Sequence, residues 1–210
     1  HYEKNFNDLI KNSVKDLDKQ KSFDYFLKNG FPVKKKGDER WKYLDLRSLE
    51  KTLYNIDFDT NISGPNLQSL GIESKNTICV TNGISNFLAI DGIEIIPAKS
   101  YKPVVDFNED EFISLNTSMS SKPLLLNVNS QFNNKTLNII YYSNSDKEIL
   151  ECPKIFIQID PGVNVTLNEV FLTSKTISLK LPVTEIRLCK KSKVFHNLVF
   201  QSSFVENNFK

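Results

Sequence analysis

Apolar residues recur at helical spacing in the first part of the chain. Five of them fall three, four or seven residues apart and would form one stripe along a helix: Phe6, Leu9, Ile10, Val14 and Leu17. The spacing predicts an amphipathic N-terminal helix that packs through this stripe.

A second helix is predicted to begin at Ser22, whose hydroxyl can cap it, and to end at Gly30 ahead of Pro32. A third short helix is expected after it. Residues 57–71 are rich in Asn, Asp, Ser, Gly and Pro, which is typical of a linker. Residues 1–71 are therefore predicted to be a helical region and its linker. The apolar positions of the second and third helices are Phe23, Phe26, Leu27, Leu46, Leu49 and Leu53.

Residues 72–122 are predicted to be a mixed lead-in of hairpin and helix. The apolar period changes to that of a strand at Thr77–Val80, and Asn82-Gly83 is a turn signal typical of a hairpin. A second strand is expected at Phe87–Ile90, and a helix within residues 106–118.

Residues 123–210 are predicted to form a β core, because short apolar runs alternate with brief turns and helical spacing is absent. The pattern is typical of either a β-sandwich or a β-solenoid, and periodicity alone leaves both open. With only 7 glycines, asparagine is expected at left-handed corners. The apolar runs are Leu124–Val128, Leu137–Tyr142, Ile155–Ile159, Val163–Leu172, Thr176–Leu181, Val183–Leu188 and Val194–Phe200.

The last run, Val194–Gln201, is a strong strand signal with no capping element after it. In a solenoid, about six inward apolar side chains would stay uncovered there, which is on the order of 10 kcal/mol of missing burial. That figure is comparable with the roughly 5–15 kcal/mol stability of a whole domain. We therefore expect these 210 residues to be an incomplete β core that self-associates when alone.

Composition and charge are those of an ordinary folded protein, with 40% hydrophobic residues and a net charge of +2. So small a charge does not indicate nucleic acid or an acidic membrane surface as the main partner. No apolar run approaches the roughly 18 residues of a membrane span. Three cysteines without a CxxC motif argue against a disulfide framework or a structural zinc site, and favour a reducing compartment.

Cys189 and His196 are the only soft metal ligands that lie close together in the sequence. On neighbouring strands, a thiolate and an imidazole would suit iron or a persulfide. The competing interpretation is a small buried cysteine and a hydrogen-bonded core histidine. Cys79 and Cys152 are weaker candidates of the same kind.

Other chemical motifs are sparse. No glycine-rich nucleotide motif and no GxSxG nucleophile motif occur, so no catalytic or cofactor-binding residue is predicted. One acidic cluster is predicted to be the solvated first turn of a helix rather than a cation site. Its members are Asp106, Glu109, Asp110 and Glu111.

A family resemblance begins in residues 30–49, where a helix stop at Gly30 and Pro32 precedes a charged turn and the chain's only tryptophan. The segment resembles the N-terminal part of the SufD proteins, scaffold subunits of the SUF iron–sulfur cluster assembly system. Its version of the motif fits SufD better than the paralogous SufB. The signature residues, which are expected to be structural, are Gly30, Pro32, Arg40, Trp41, Lys42, Tyr43, Asp45 and Leu46.

The resemblance continues in order along the chain. A short hairpin carrying Asn-Gly is followed by a Leu-Asn element and then by segments similar to successive turns of the family's core. These segments are Val80–Gly83, Leu115–Thr117, Pro153–Ile157, Pro161–Val163, Leu167-x-Glu169, Thr184–Leu188 and His196–Gln201.

The resemblance implies helices at the N-terminus, a right-handed parallel β-helix as the core, and a helical C-terminal region beyond the residues in hand. SufD pairs with SufB, and each carries a copy of the ATPase SufC. The complex builds iron–sulfur clusters and passes them to apo-proteins, with SufD supporting iron entry. The cluster and ATP belong to the whole complex, so no cofactor or metal residue transfers to this segment.

We therefore expect a non-catalytic scaffold of the cytoplasm or, alternatively, of the plastid stroma. One rival is a secreted β-solenoid enzyme that acts on polysaccharide, which would place charged residues on one face. Another is a self-assembling structural solenoid with apolar ends and no SUF partners. Trp41 and Tyr43 are expected to pack the helical region onto the sheets.

Overall fold

The computed structural model describes residues 2–11, 17–32, 46–57, 63–97, 100–172 and 175–201. Within them, helices occupy the N-terminal part and strands dominate from residue 77 onward, which confirms the mainly β class. No helix in this described part is both long and apolar enough to cross a membrane.

The described ranges contain four α-helices: α1 (Tyr2–Lys11), α2 (Leu17–Asn29), α3 (Arg47–Lys51) and α4 (Glu111–Met119). Short 3-10 helices occupy Gln68–Leu70, Phe107–Glu109 and Ser130–Phe132.

The helix boundaries confirm one predicted signal and correct another. Gly30 ends α2 with a left-handed φ of 66°, and its N–H donates to the Phe26 carbonyl at 2.7 Å. Ser22 does not cap α2: it lies inside the helix, and its hydroxyl donates to the Asp18 carbonyl one turn earlier. A serine hydroxyl can bond either to the backbone N–H groups at a helix start or to a carbonyl one turn earlier inside a helix. A single serine is therefore an ambiguous signal for where a helix begins.

Eleven strands follow in the described residues. They are β1 (Thr77–Thr81), β2 (Ile84–Asn86), β3 (Ile93–Ile95), β4 (Leu124–Val128), β5 (Lys135–Tyr142), β6 (Ile149–Glu151), β7 (Lys154–Ile159), β8 (Asn164–Leu172), β9 (Ser178–Lys180), β10 (Val183–Leu188) and β11 (Lys193–Gln201). Beyond residue 123 their bounds agree closely with the predicted runs, except that β6 was not predicted.

The hairpin in the lead-in is shorter than expected. Its second strand is β2, directly after the two-residue turn at Asn82-Gly83, and residues 87–89 form no strand. Asn82 takes a positive φ of 49°, which allows a tight two-residue turn. The chain therefore pairs with β1 again directly after the turn, and β2 ends before the apolar run at residues 87–90.

The strands form three sheets, in the orders β11-β8-β5-β1-β2, β10-β7-β4-β3 and β6-β9. From β4 onward, each strand pairs in parallel with the strand three places later in the chain. The lead-in strands join the same sheets, since β1 pairs in parallel with β5 and β3 pairs antiparallel with β4. Residues 72–122 are thus continuous with the β core by hydrogen bonding.

Side chains also align across the parallel strands. Asn168 donates to Asn138, 30 residues earlier, and Asn197 donates to Asn168, 29 residues earlier, both at 2.9 Å. These three amides form a ladder on the outer face of the five-stranded sheet. On the inner face, Tyr141, Phe171 and Phe200 stack with ring centroids 4.6 and 4.9 Å apart.

Three apolar clusters are found in the described residues, and the two larger ones hold the layers together. The larger one fills the space between the five- and four-stranded sheets, and includes Ile78, Leu126 and Ile157. The other joins the helices to β6 and contains Phe6, Phe23, Phe26, Leu115, Leu150 and Cys152. The helical layer is therefore packed on the outside of the two-stranded sheet.

Asparagine occupies two left-handed corners, as was predicted from the small number of glycines. Asn82 and Asn134 have positive φ values of 49° and 58°. Lys191 is a third such corner, with a φ of 62°, and it was not predicted.

Candidate functional site

Glu169 lies at the centre of a buried polar cluster between the sheets. Its carboxylate accepts hydrogen bonds from the Tyr141 hydroxyl at 2.6 Å and from the Thr184 hydroxyl at 2.9 Å. The His196 Nε2 atom lies 2.7 Å from its other oxygen. The alternation of β8 turns this glutamate toward the interior together with Leu167, so it needs these partners to be buried at low cost.

His196 therefore has a carboxylate partner rather than a thiol partner, but its side chain is 32% exposed, so the core-histidine interpretation holds for the hydrogen bond and not for burial. Cys189 directly follows β10, and its carbonyl accepts from the Ser192 backbone and hydroxyl. No contact between Cys189 and His196 is seen, and the described residues contain no group of three His, Cys, Asp or Glu side chains arranged to hold a metal ion. The absence of metal and cofactor sites remains a prediction.

A second buried carboxylate, Glu151 on β6, forms an ion pair with Lys180 on β9 at 2.9 Å. The Ser143 hydroxyl donates to the same carboxylate oxygen at 2.6 Å, and Lys180 also donates to Ser143 and to Ser178. A serine beside a lysine resembles a nucleophile and its base. Here the lysine is ion-paired with the same carboxylate oxygen that accepts from the serine hydroxyl, so the three side chains form a closed cluster that links strands.

The third carboxylate, Glu185 on β10, lies on the outer face of the four-stranded sheet beneath residues 100–104. It accepts from the Tyr101 hydroxyl at 2.7 Å and from the Val104 backbone N–H at 2.5 Å, and it pairs with Lys154 at 3.3 Å. Arg187 lies over the Phe156 ring at 5.1 Å and donates to the Lys102 carbonyl. These contacts fasten the segment to the sheet.

The three carboxylates share one arrangement: each is buried and is satisfied by donors from a neighbouring strand or loop. Burial raises the pKa of Tyr101, with the hydrogen bond to Glu185 adding to the shift. Burial also raises the pKa of Tyr141, with the charge of Glu169 adding to it. Phenols held in the neutral form are hydrogen-bond donors rather than bases, so the clusters are suited to fixing strand positions.

The other two cysteines are poor ligand candidates in this geometry. Cys152 is buried between the helices and β6, and burial raises the pKa of its thiol. Burial likewise raises the pKa of the Cys79 thiol. Since the thiolate is the form that binds metals and attacks electrophiles, both side chains are suited to packing.

The Leu115-Asn116-Thr117 element fastens helix α4 to two consecutive corners of the β core. The Asn116 side-chain amide donates to the carbonyls of Pro153 and Leu181, at 2.9 and 2.6 Å. Thr117 accepts from Lys154 at 3.3 Å, and Leu115 is fully buried. One short motif thus connects the helical layer to β7 and to the turn before β10.

Two members of the acidic cluster before α4 act in capping, and a third differs from expectation. Asp110 caps α4 by accepting from the N–H groups of Phe112 and Ile113, at 2.7 and 3.3 Å. Asp106 accepts from the Asn108 N–H in the preceding 3-10 turn. Glu111 is buried rather than solvated, because α4 packs against α1 and α2 on that side.

Most of the family signature cannot be placed. Arg40, Trp41, Lys42, Tyr43 and Asp45 lie outside the described residues, so the expected packing of Trp41 and Tyr43 stays a prediction. Of the remaining signature residues, Gly30 and Pro32 follow α2, and Leu46 directly precedes α3.

A shallow groove of about 290 Å³ lies on the outer face of the four-stranded sheet. Its floor is apolar at Ile95 and Phe156. The amides on its rim are already engaged, since Asn127 accepts from Gln158 at 3.1 Å and donates to Asp160 at 3.4 Å.

The most exposed apolar surface lies where the parallel strands stop. Phe195 is 73% exposed and Phe200 77%, although both belong to the regular strand β11. Leu188 on β10 and Leu198 on β11 are also about half exposed. In the described part of the chain, β11 pairs with β8 and is the last strand of its sheet.

Sequence reasoning missed the three buried carboxylates on the strands. For Glu169 the available signal was a charged residue at an inward position of an apolar strand, two residues after Leu167. Glu151 follows Leu150 in the same way, whereas Glu185 lies on the outer face of its sheet, where alternation gives no such signal. Which donors satisfy them depends on pairing between segments about 30 residues apart, and local patterns do not report it.

No protein-family model, no curated protein and no solved structure matches this chain.

Proposed function

We propose that this chain belongs to a SufD-like, non-catalytic scaffold subunit of the SufB–SufC–SufD complex, with a right-handed parallel β-helix as its core. In this role it supports the assembly of iron–sulfur clusters and their transfer to apo-proteins, and assists iron entry. The observation that carries the proposal is the pairing of each strand from β4 onward with the strand three places later.

Such pairing is what a β-helix requires, because each turn of the helix contributes one strand to each of three sheets. The side chains that align in neighbouring turns lie 29, 30 or 31 residues apart, so the turn length is nearly constant. Parallel strands joined by crossovers are right-handed in nearly all known sheets, which supports the proposed hand.

The placement of the motif residues supports the family assignment. Pro153 directly precedes β7, and Pro161-Gly162 forms the corner between β7 and β8. Glu169 and His196, both part of the resemblance, contact each other across neighbouring strands. Asn116 fastens the helical layer to the turns, so motif residues far apart in sequence serve one architecture.

A scaffold role fits the chemistry of the described residues better than catalysis does. The buried carboxylates and the lysines beside them are engaged with each other and with neutral donors. In this proposal the segment itself binds no cofactor, the cluster forms on the complex, and ATP binds SufC. The three free cysteines suit the reducing interior of a cytoplasm or a plastid stroma.

The test is affinity purification of the native gene product from its source, with mass spectrometry of the eluate. We expect SufB and SufC to co-purify in stoichiometric amounts. The same tag on an unrelated protein of similar size is the control for adventitious binding. Recovery of the product without SufB and SufC would overturn the assignment, whatever its oligomeric state.

A further inference from the structure

We propose that Asn82-Gly83 is a site of spontaneous deamidation, and that a hydrogen-bonded clasp around Asn82 sets the rate of the reaction. The clasp consists of Asn82, Asp57 and residues 142–144. Conversion of Asn82 to aspartate or isoaspartate opens it permanently. The proposal does not depend on the SUF assignment, and it goes beyond that assignment by identifying a modification site and its structural consequence.

An asparagine followed by glycine deamidates readily, because glycine has no side chain to hinder its backbone nitrogen. The Gly83 nitrogen attacks the side-chain carbonyl carbon of Asn82, and the new C–N bond closes a five-membered succinimide. The Asn82 side-chain nitrogen leaves as ammonia and takes up the proton that Gly83 loses. Water then opens the succinimide at either carbonyl, which gives aspartate or isoaspartate, so water is the only co-reactant.

In the closed clasp, hydrogen bonds fix Asn82 on every side. Its side-chain nitrogen donates to the Asp57 carboxylate and to the Asn144 carbonyl, both at 2.9 Å. Its side-chain oxygen accepts from the Asn144 N–H at 2.7 Å, and its backbone N–H donates to the Tyr142 carbonyl at 3.0 Å. The residue is only 3% exposed. Because the side chain is not free to turn toward the Gly83 nitrogen, the closed clasp slows the reaction.

The chain contains a second Asn-Gly pair, Asn29-Gly30, and there the attacking nitrogen itself is engaged. The Gly30 N–H donates to the Phe26 carbonyl at 2.7 Å, and the Asn29 side chain donates to the Tyr25 carbonyl at 2.9 Å. In the described part of the chain, the Gly83 N–H has no such acceptor. Release of the Asn82 side chain is therefore the step that makes this pair reactive.

The clasp can open without unfolding the β core. Asn144 is exposed and lies just beyond β5, and Asp57 is half-buried at the end of the segment that follows α3. That segment is held beside β6, since the Asn55 N–H donates to the Glu148 carbonyl and the Leu150 N–H donates to the Asn55 carbonyl. Local openings of such exposed parts cost much less than global unfolding.

Deamidation makes the opening irreversible. The new carboxylate at position 82 has no N–H to donate, and it faces the Asp57 carboxylate and the Asn144 carbonyl at hydrogen-bond distance. Like charges so close together repel each other. Isoaspartate also adds one atom to the backbone of a two-residue turn, which disturbs the pairing of β1 with β2. The reaction thus detaches the end of the helical region from the corner of the five-stranded sheet.

Mass spectrometry of proteolytic peptides measures the reaction, after incubation of the folded 210-residue chain in mildly alkaline buffer. Asp57→Ala removes a hydrogen bond to a charged acceptor, so the rate at Asn82 is expected to rise about tenfold or more. Asn29 in the same sample is the internal control, and its rate should not change. Asp91→Ala, at an exposed aspartate before another turn glycine, is the control variant and should leave the rate at Asn82 unchanged.

Exchange of the two side chains tests the consequence. Asn82→Asp imitates the product and is expected to lower the melting temperature by about 4 °C or more. The double variant Asn82→Asp/Asp57→Asn places the donor on the other partner and restores one hydrogen bond between the two positions. It should recover about half of the loss or more, as expected for two groups in direct contact.

Each contrary outcome overturns the proposal. A rate at Asn82 that is as high in the folded wild-type chain as in urea would show that the clasp gives no protection. An equal rise at Asn82 and Asn29 in Asp57→Ala would show that the variant loosens the whole fold, and an unchanged rate at Asn82 would show that Asp57 is not part of the gate. Should Asp57→Ala fail to fold, the comparison of Asn82→Asp with the double variant decides, and equal melting temperatures of these two would exclude the clasp.

Discussion

The carboxylate of Glu169 shows how a charged side chain is accommodated between two β-sheets. Three donors from three strands converge on it, from Tyr141, Thr184 and His196. An ionised carboxylate is costly to bury alone, so Glu169 needs these donors. The buried donors in turn need the carboxylate, because without it their hydrogen bonds would be unsatisfied.

Replacing this carboxylate tests its structural role. Glu169→Gln is expected to lower the free energy of unfolding by about 2–4 kcal/mol, since the amide turns a donor toward groups that are themselves donors. Urea unfolding followed by circular dichroism measures the loss. Glu50→Gln, on the exposed side of α3, is the control and should change stability by less than about 0.5 kcal/mol. Equal effects of the two variants would contradict the structural role.

The buried phenols make stability depend on pH in the alkaline range. The pKa values of Tyr101 and Tyr141 are raised in the fold from 10.0, mainly by burial. A raised pKa means that the stabilisation is fully present below pH 10 and is lost as the pH rises toward the folded-state value. Each such phenol should lower the free energy of unfolding by about 1.4 kcal/mol per pH unit above 10.

Urea unfolding between pH 9 and 11.5 measures this slope. The double variant Tyr101→Phe/Tyr141→Phe is expected to be less stable at pH 8, because two hydrogen-bonded hydroxyls are removed, but to lose stability less steeply above pH 10. An unchanged slope would show that neither phenol is linked to unfolding in this range.

At the scale of elements, tight turns at left-handed glycines lead into two of the strands, β3 and β8. The turn at Gly92 passes directly over the fully buried Phe132, with a φ of 88°. A Cβ atom there would lie 2.6 Å from the Phe132 backbone nitrogen. The corner at Gly162 has a similar φ of 75°, but no atom lies within 4 Å of a Cβ built on it.

The two glycines therefore separate backbone strain from steric exclusion. Gly162→Ala should cost about 1–2 kcal/mol, which is the price of a left-handed alanine. Gly92→Ala should cost at least about 2 kcal/mol more, because the new methyl group meets the backbone of Gln131 and Phe132, which must shift. Thermal and urea unfolding of the pair give the comparison. Equal losses would mean that the turn at Gly92 can move freely.

The sequence predicted the strands of the β core well, because alternating apolar residues and short turns are local features. Strand β10 has the predicted bounds Val183–Leu188, for example. Local features also explain the errors: Ser22 satisfies its hydroxyl inside α2, and β2 begins as soon as the turn at Asn82-Gly83 allows. A capping signal and an apolar run mark possible boundaries, and the tertiary contacts select among them.

Which strands pair lies outside what periodicity reports. Asn138, Asn168 and Asn197 form a ladder only because successive turns differ by no more than a residue or two in length. Likewise, His196 was predicted to be either a ligand or a core histidine, and its partner Glu169 is 27 residues away. The sequence shows that Glu169 occupies an inward position of an apolar strand, but it does not show which side chains contact its carboxylate.

At the scale of the whole molecule, stability should be unequal across the five-stranded sheet. β5 and β8 are hydrogen-bonded on both sides, and β5 crosses the fully buried core at Leu137 and Ile139. β11 is bonded on one side and most of its residues are exposed. Backbone amides should therefore exchange most slowly in the middle of the sheet.

Hydrogen exchange resolved to single residues measures this difference within β11. The amides of Phe195, Asn197 and Val199 point toward β8 and should be protected, whereas those of His196 and Leu198 point away from β8 and should exchange faster. The amides of β5, which has hydrogen-bonded neighbours on both sides, are the internal control and should be the slowest of the sheet. Equal protection of the odd- and even-numbered amides of β11 would contradict the unequal stability expected across the sheet.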